Sequence, residues 1–107
     1  MADFFTYMLR CADNSIYTGI TTNPERRLLE HSQKNGKAAK YTASHTPKRF
    51  ECLFKSQSRA VASKLEFHIK TLTKAKKESL ILNPYLLSEF LGEKINPDDY
   101  TYIKTED

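Results

Sequence analysis

Tyr7, Tyr17, Arg27 and Glu66 occur in that order along the chain, with His31 four residues after Arg27. Together these side chains could break a phosphodiester bond. Such hydrolysis needs a positioned, activated water, charge compensation at the phosphoryl oxygens, and help for the departing oxygen. Arginine suits the second task because its planar, permanently charged fork matches phosphate. A single carboxylate can hold Mg2+, which completes its shell with water and substrate oxygens. Tyrosine has an ordinary pKa of about 10, so acting as a base requires a nearby cation, which Arg27 or a metal at Glu66 would supply. Taken one at a time, each residue has a plainer reading. The tyrosines read as strand aromatics, Arg27 and His31 as helix surface, and Glu66 as a partner for Lys70 one turn on. Their joint order and spacing favour the chemical reading.

That reading makes demands on the elements that carry the residues. Phe4 to Arg10 and Ile16 to Thr21 are rich in aromatic and β-branched residues and are expected as strands. Ala12-Asp13-Asn14 between them has the composition of a three-residue hairpin loop, with Asn14 in the left-handed position. Leu9 then faces Tyr17 and Tyr7 faces Gly19, so the two tyrosines share one face as diagonal neighbours, roughly 7–8 Å apart. A loop shorter by one residue would turn Tyr17 to the other face.

Asn23-Pro24 is a helix start, with Asn accepting free N–H groups and Pro in the first turn. The helix is expected to run to about Lys34, placing Arg27 and His31 on one face and packing Leu28 and Leu29 on the core. A polar loop over 35–47 and its flank carry Lys37, Lys40, Tyr41, His45 and Lys48, candidates for contact with nucleic acid. Phe50 to Phe54 is expected as a third strand. Ser58 opens a helix with the apolar stripe Val61, Ala62, Leu65, Ile69 and Leu72, which puts Glu66 at the stripe's margin, beside the core yet able to face a cleft. Thr73 caps a further helix, Lys74 to Leu82, stopped by Asn83-Pro84, and Pro84 to Leu91 is a short helix ended by Gly92. The order gives an α+β fold, a three-stranded antiparallel sheet flanked by helices.

With 107 residues the chain is expected to form one domain, residues 1–92, followed by an acidic flexible tail, 93–107. No apolar run is long enough to span a bilayer and the N-terminus lacks a signal-peptide layout, so the expected location is the cytoplasm. Cys11 and Cys52 lack metal-ligand spacing and read as buried free thiols. Residues 1–92 hold 15 Lys/Arg against 8 Asp/Glu, and residues 93–107 hold 2 against 5. A basic body favours an anionic partner such as nucleic acid, and neither a membrane nor an obligate protein partner is indicated.

Phe5-Thr6-Tyr7 resembles a drifted GIY motif and Tyr17-Thr18-Gly19 resembles YIG. Asn23 to His31 is similar to the segment that follows YIG in the GIY-YIG nucleases, and Lys64 to Lys70 is similar to their helix with a metal-binding Glu. Lys40-Tyr41-Thr42 and Leu72-Thr73-Lys74-Ala75 resemble segments of that superfamily's small single-domain bacterial branch. The resemblance covers roughly residues 4–82. It implies the GIY-YIG fold and hydrolysis of phosphodiester bonds, in DNA more than in RNA, dependent on Mg2+ or Mn2+ and with little sequence specificity. DNA repair and recombination are settings that fit such an activity. By the same resemblance Tyr17 orients or deprotonates water with Tyr7 assisting, Arg27 stabilises the transition state, and His31 assists proton transfer or phosphate contact. Glu66 holds the metal, and Asn83 is a possible counterpart of a further family Asn, although it reads equally well as a helix stop. The competing expectation is a nucleic-acid-binding module on the same fold with weak or no catalysis.

Overall fold

The fold begins with the hairpin that the tyrosines require. In this computed structural model, which describes residues 3–32 and 47–104, β1 (Phe4–Cys11) and β2 (Ile16–Thr21) pair antiparallel. Their loop is the three-residue one: Asn14 has φ 70°, its N–H donates to the Cys11 carbonyl at 2.9 Å, and the Cys11 N–H donates to the Ser15 carbonyl at 2.9 Å. Asn tolerates the left-handed region better than most side chains, which makes this loop affordable without glycine. The register follows, with Leu9 opposite Tyr17 and Tyr7 opposite Gly19.

β3 (Pro47–Ser56) pairs antiparallel with the other edge of β1, and a short β4 (Thr101–Ile103) pairs antiparallel with β3. Among the described residues the strand order is β2-β1-β3-β4, four strands where three were expected. β3 also extends beyond the expected Phe50–Phe54 at both ends.

Helices cover both faces. α1 (Pro24–Ser32) is set by Asn23, whose side-chain oxygen accepts the Arg26 N–H at 3.1 Å and whose own N–H donates to the Thr21 hydroxyl at 3.1 Å. α2 (Arg59–Lys70) is capped by the Ser58 hydroxyl, which accepts the Val61 N–H, and buries Ala62, Leu65 and Ile69. Thr73 caps α3 (Lys74–Leu82) through the Lys76 N–H. A 3-10 turn (Pro84–Leu86) leads into α4 (Leu87–Leu91) and Gly92. The main core joins Met8, Cys52 and Phe54 of the sheet to Leu65, Ile69, Leu80, Leu87 and Leu91. Strand alternation sends Thr6 and Met8 toward α2, where the Thr6 hydroxyl donates to the Ala62 carbonyl, and turns Tyr7 and Leu9 to the opposite side.

The expected flexible tail needs correcting. Ile95 and Tyr100 are buried in the main core, and the Tyr100 hydroxyl donates to the Val61 carbonyl at 2.7 Å. A 3-10 turn at Pro97–Asp99, capped by Asn96, carries the chain from α4 back to the sheet edge. Five acidic residues among the segment's charges hid its few apolar anchors. Leu29 also departs from expectation: it is 55% exposed, because α1 turns mainly Leu28 inward. Cys11 and Cys52 are buried and free, and burial pushes both thiols up, Cys52 to about 12. Among the described residues no helix is long and apolar enough to cross a membrane.

Candidate active site

The site is built around the Tyr7 phenol. Tyr7 is fully buried, and its ring crosses the backbone of Gly19 on the edge strand β2. A Cβ at position 19 would come within 2.5 Å of the Tyr7 Oη and 2.7 Å of Cζ. The glycine is required by this close approach, and its missing side chain lets the hydroxyl reach the edge of the sheet. Tyr17 lies against the same ring, with centroids 6.1 Å apart and planes inclined by 34°. Phe50 of β3 closes the other side edge-on at 5.2 Å. Two aromatic contacts and a glycine therefore fix the phenol in one orientation.

α1 brings Arg27 to this phenol. The chain leaves β2 at Thr21, the Thr21–Asn23 bonds start the helix, and Arg27 follows one turn in. Arg27 Nε donates to Tyr7 Oη at 3.1 Å. Burial pushes the Tyr7 pKa up to about 12, against the bond and charge of Arg27, which pull it down, while Tyr17 and the Glu66 carboxylate add to the rise. At neutral pH Tyr7 is thus a neutral phenol that accepts from Arg27 and keeps its own proton. It holds the guanidinium in place and is unsuited to act as the base.

Glu66 lies two turns into α2, with its side chain 25% exposed and its Oε2 3.5 Å from Lys70 Nζ. Its electrostatic effect on Tyr7 links it to the same cluster. Among the described residues no three His, Cys, Asp or Glu side chains gather as a metal cage. A lone, partly exposed carboxylate is the wrong donor set for structural zinc, but it fits Mg2+ or Mn2+, which keep most of their shell as water and substrate oxygens.

The other expected residues divide cleanly. His31 lies in α1, one turn after Arg27, but its side chain lies outside the described residues, as do Lys37, Lys40, Tyr41 and His45. Lys48 is exposed on β3. Asn83 ends α3: its side-chain oxygen accepts the Tyr85 N–H at 3.2 Å and its N–H donates to the Ser79 carbonyl. That places its side chain in a helix cap. Sequence reasoning passed over Phe50, whose place beside Tyr7 depends on an irregularity in β1–β3 pairing after Met8. It also passed over Arg26 and Arg59, which line one cavity with Arg27. Their signal was arginine in the first turn of a helix, where the backbone dipole disfavours a cation.

A model of the GIY-YIG catalytic domain matches residues 3–79. The chain is 45% identical over 80 residues to a UPF0213 protein of Natronomonas pharaonis, a match covering 75% of this chain and 92% of that one. It is 35% identical over 98 residues to the UPF0213 protein YhbQ of Escherichia coli O127:H6, covering 92% and 96% of the two chains. Among solved structures, the solution NMR structure of the UPF0213 protein BH0048 from Bacillus halodurans is similar, with 37% identity, a TM-score of 0.48, and coverage of 78% of this chain and 89% of that one.

Proposed function

The chain belongs to the GIY-YIG family, and from that premise we propose that it is a nuclease that hydrolyses phosphodiester bonds in nucleic acid, DNA more than RNA, with Mg2+ or Mn2+. The observation that carries the reading is the Arg27 Nε to Tyr7 Oη hydrogen bond beside Tyr17. The Tyr7 phenol orients the guanidinium through its Nε, and a planar, permanently charged fork held in a fixed direction matches the phosphoryl oxygens.

In this mechanism Arg27 binds the phosphoryl oxygens and stabilises the charge that grows on them as water attacks. Tyr7 fixes the direction of the Arg27 fork. Tyr17, half-buried where Tyr7 is fully buried, orients the attacking water or, as the phenolate after losing its own proton to solvent, takes the water's proton. His31, one turn after Arg27 in α1, contacts phosphate or gives a proton to the departing oxygen. Glu66 would hold the divalent ion, which when bound would supply Lewis-acid chemistry to the attacking water and the phosphoryl group. Phe50 and Gly19 keep the phenol dry and in register.

Sequence specificity is expected to be weak, because the described residues form a single small domain around the cleft and include no separate recognition module. Strandedness or branching of the DNA would then matter more than its bases, as suits repair or recombination in the cytoplasm. The test is a substrate panel of labelled single-stranded, duplex and branched DNA, and RNA, each with Mg2+, Mn2+ or chelator. Metal-dependent cleavage of DNA is expected. Tight, salt-sensitive binding with no cleavage in either metal would replace this reading with that of a binding module.

A further inference from the structure

A cavity of about 230 Å3 opens beside the candidate active site, lined by Phe4, Ile20, Thr21, Thr22, Arg26, Arg27 and Arg59. It lies at the end of the edge strand β2, where the first turns of α1 and α2 approach each other. Three guanidinium groups from two helices meet there, and among the described residues no carboxylate lines the space. Folding alone gives this no rationale. Like charges repel, and Arg59 is the first residue of a helix that has no acidic residue in its first turn, so the positive end of the backbone dipole faces a cation. Arg26 stands in the first turn of α1, which also carries Glu25.

The other described arginines contrast with these. Arg10 is bound to Glu51 and Glu78, and Arg49 to Glu51. Among the described residues neither Arg26 nor Arg59 is within ion-pair distance of a carboxylate, and both are exposed. A site that stacks cations on two helix N-termini and leaves them unneutralised is suited to an anion with several oxygens.

We propose that Arg26 and Arg59, with the flank of Arg27, form a second phosphate seat that grips the nucleic-acid backbone at the phosphate next to the one being cut. Arg27 belongs to both places, since its Nε is held by Tyr7 while its side chain lines the cavity. The strand would therefore enter along the β2 edge, with its polarity across Tyr17 fixed by two adjacent phosphates. The assignment of the neighbouring phosphate rests on the nuclease reading; the phosphate seat itself does not.

The experiment measures binding of fluorescent single-stranded and duplex DNA without divalent metal, across a range of salt, for wild type, Arg26→Gln, Arg59→Gln, Arg59→Lys and the distant surface variant Lys94→Gln. Each glutamine variant at the seat should weaken binding about fivefold to tenfold at low salt and reduce the salt slope by about 0.9 for duplex or about 0.7 for single strands. Arg59→Lys should recover part of the loss, and Lys94→Gln should change little. Removing a cation from a helix N-terminus should also keep or raise the melting temperature of Arg59→Gln, which separates lost binding from lost folding. Wild-type affinity and salt slope in both glutamine variants would overturn the seat, as would an equal loss in Lys94→Gln or no binding by the wild type. Because metal is absent, failure to cleave does not affect this result. Cleavage with unaltered binding in the variants would remove the seat and leave the nuclease reading standing.

Discussion

In the proposed mechanism the phenol of Tyr7 organises the site without performing the proton transfer. Its burial raises the pKa to about 12 while Arg27 opposes the rise, so Tyr7→Phe keeps the ring contacts but removes the acceptor that aims the guanidinium. Turnover should fall by about tenfold to a hundredfold, with the fold intact by circular dichroism. The same variant tests the electrostatics. A tyrosine whose pKa is higher folded than unfolded stabilises fully below its unfolded value, about 10, and that contribution is lost as pH rises through about 12. Chemical-denaturation stability of the wild type should thus decline more steeply over that alkaline window than stability of Tyr7→Phe. That Tyr7, Tyr17 and Arg27 come together could be read from the sequence, because strand register and helix start are local. The division of labour proposed for the tyrosines could not, since it depends on burial. Tyr7 sits on an inner strand and Tyr17 on an edge strand, a difference created by the pairing of β3, more than forty residues away.

At the scale of elements, the hairpin loop decides whether the two tyrosines meet. Asn14 carries the strained turn, and Arg10 secures it: its guanidinium donates to the Asn14 carbonyl and side chain as well as to Glu51 and Glu78. Lys74 Nζ adds a bond to the Asn14 carbonyl. Arg10 is 8% exposed, so Arg10→Met would leave Glu51 with only Arg49, Glu78 with only Lys74, and the turn without its guanidinium clamp. A loss of about 2–3 kcal/mol is expected in urea denaturation, below the value for a wholly buried pair because Glu78 is one-third exposed. The turn itself could be read from Ala12-Asp13-Asn14, because loop chemistry is local. The clamp could not, since its partners lie 41 and 68 residues from Arg10. Helix starts were equally local: Asn23, Ser58 and Thr73 each accept an N–H from their own first turn. The exposed Leu29 shows the converse, that one helix's apolar count does not say which leucine faces inward.

For the whole molecule, the last stretch of chain is structural. Ile95 and Tyr100 complete the core and β4 covers the outer edge of β3. Truncation after Gly92 should cost about 4 kcal/mol or more from those two side chains alone, seen as a much lower urea midpoint or failure to fold. A tail that only carried charge would leave the midpoint unchanged. The segment's acidity dominated its sequence signal, and a three-residue strand is too short to show alternation against it. Among the described residues no further strand pairs with the sheet's other edge, β2, and Tyr7, Tyr17, Arg27 and the proposed phosphate seat gather along it. The most direct test of a catalytic role for this edge is the rate of Mg2+- or Mn2+-dependent cleavage of labelled DNA by wild type, Arg27→Ala and Glu66→Ala, with folding verified for each. The account predicts cutting by the wild type and a loss of about a hundredfold or more in each variant; cutting that persists unchanged in both would contradict it.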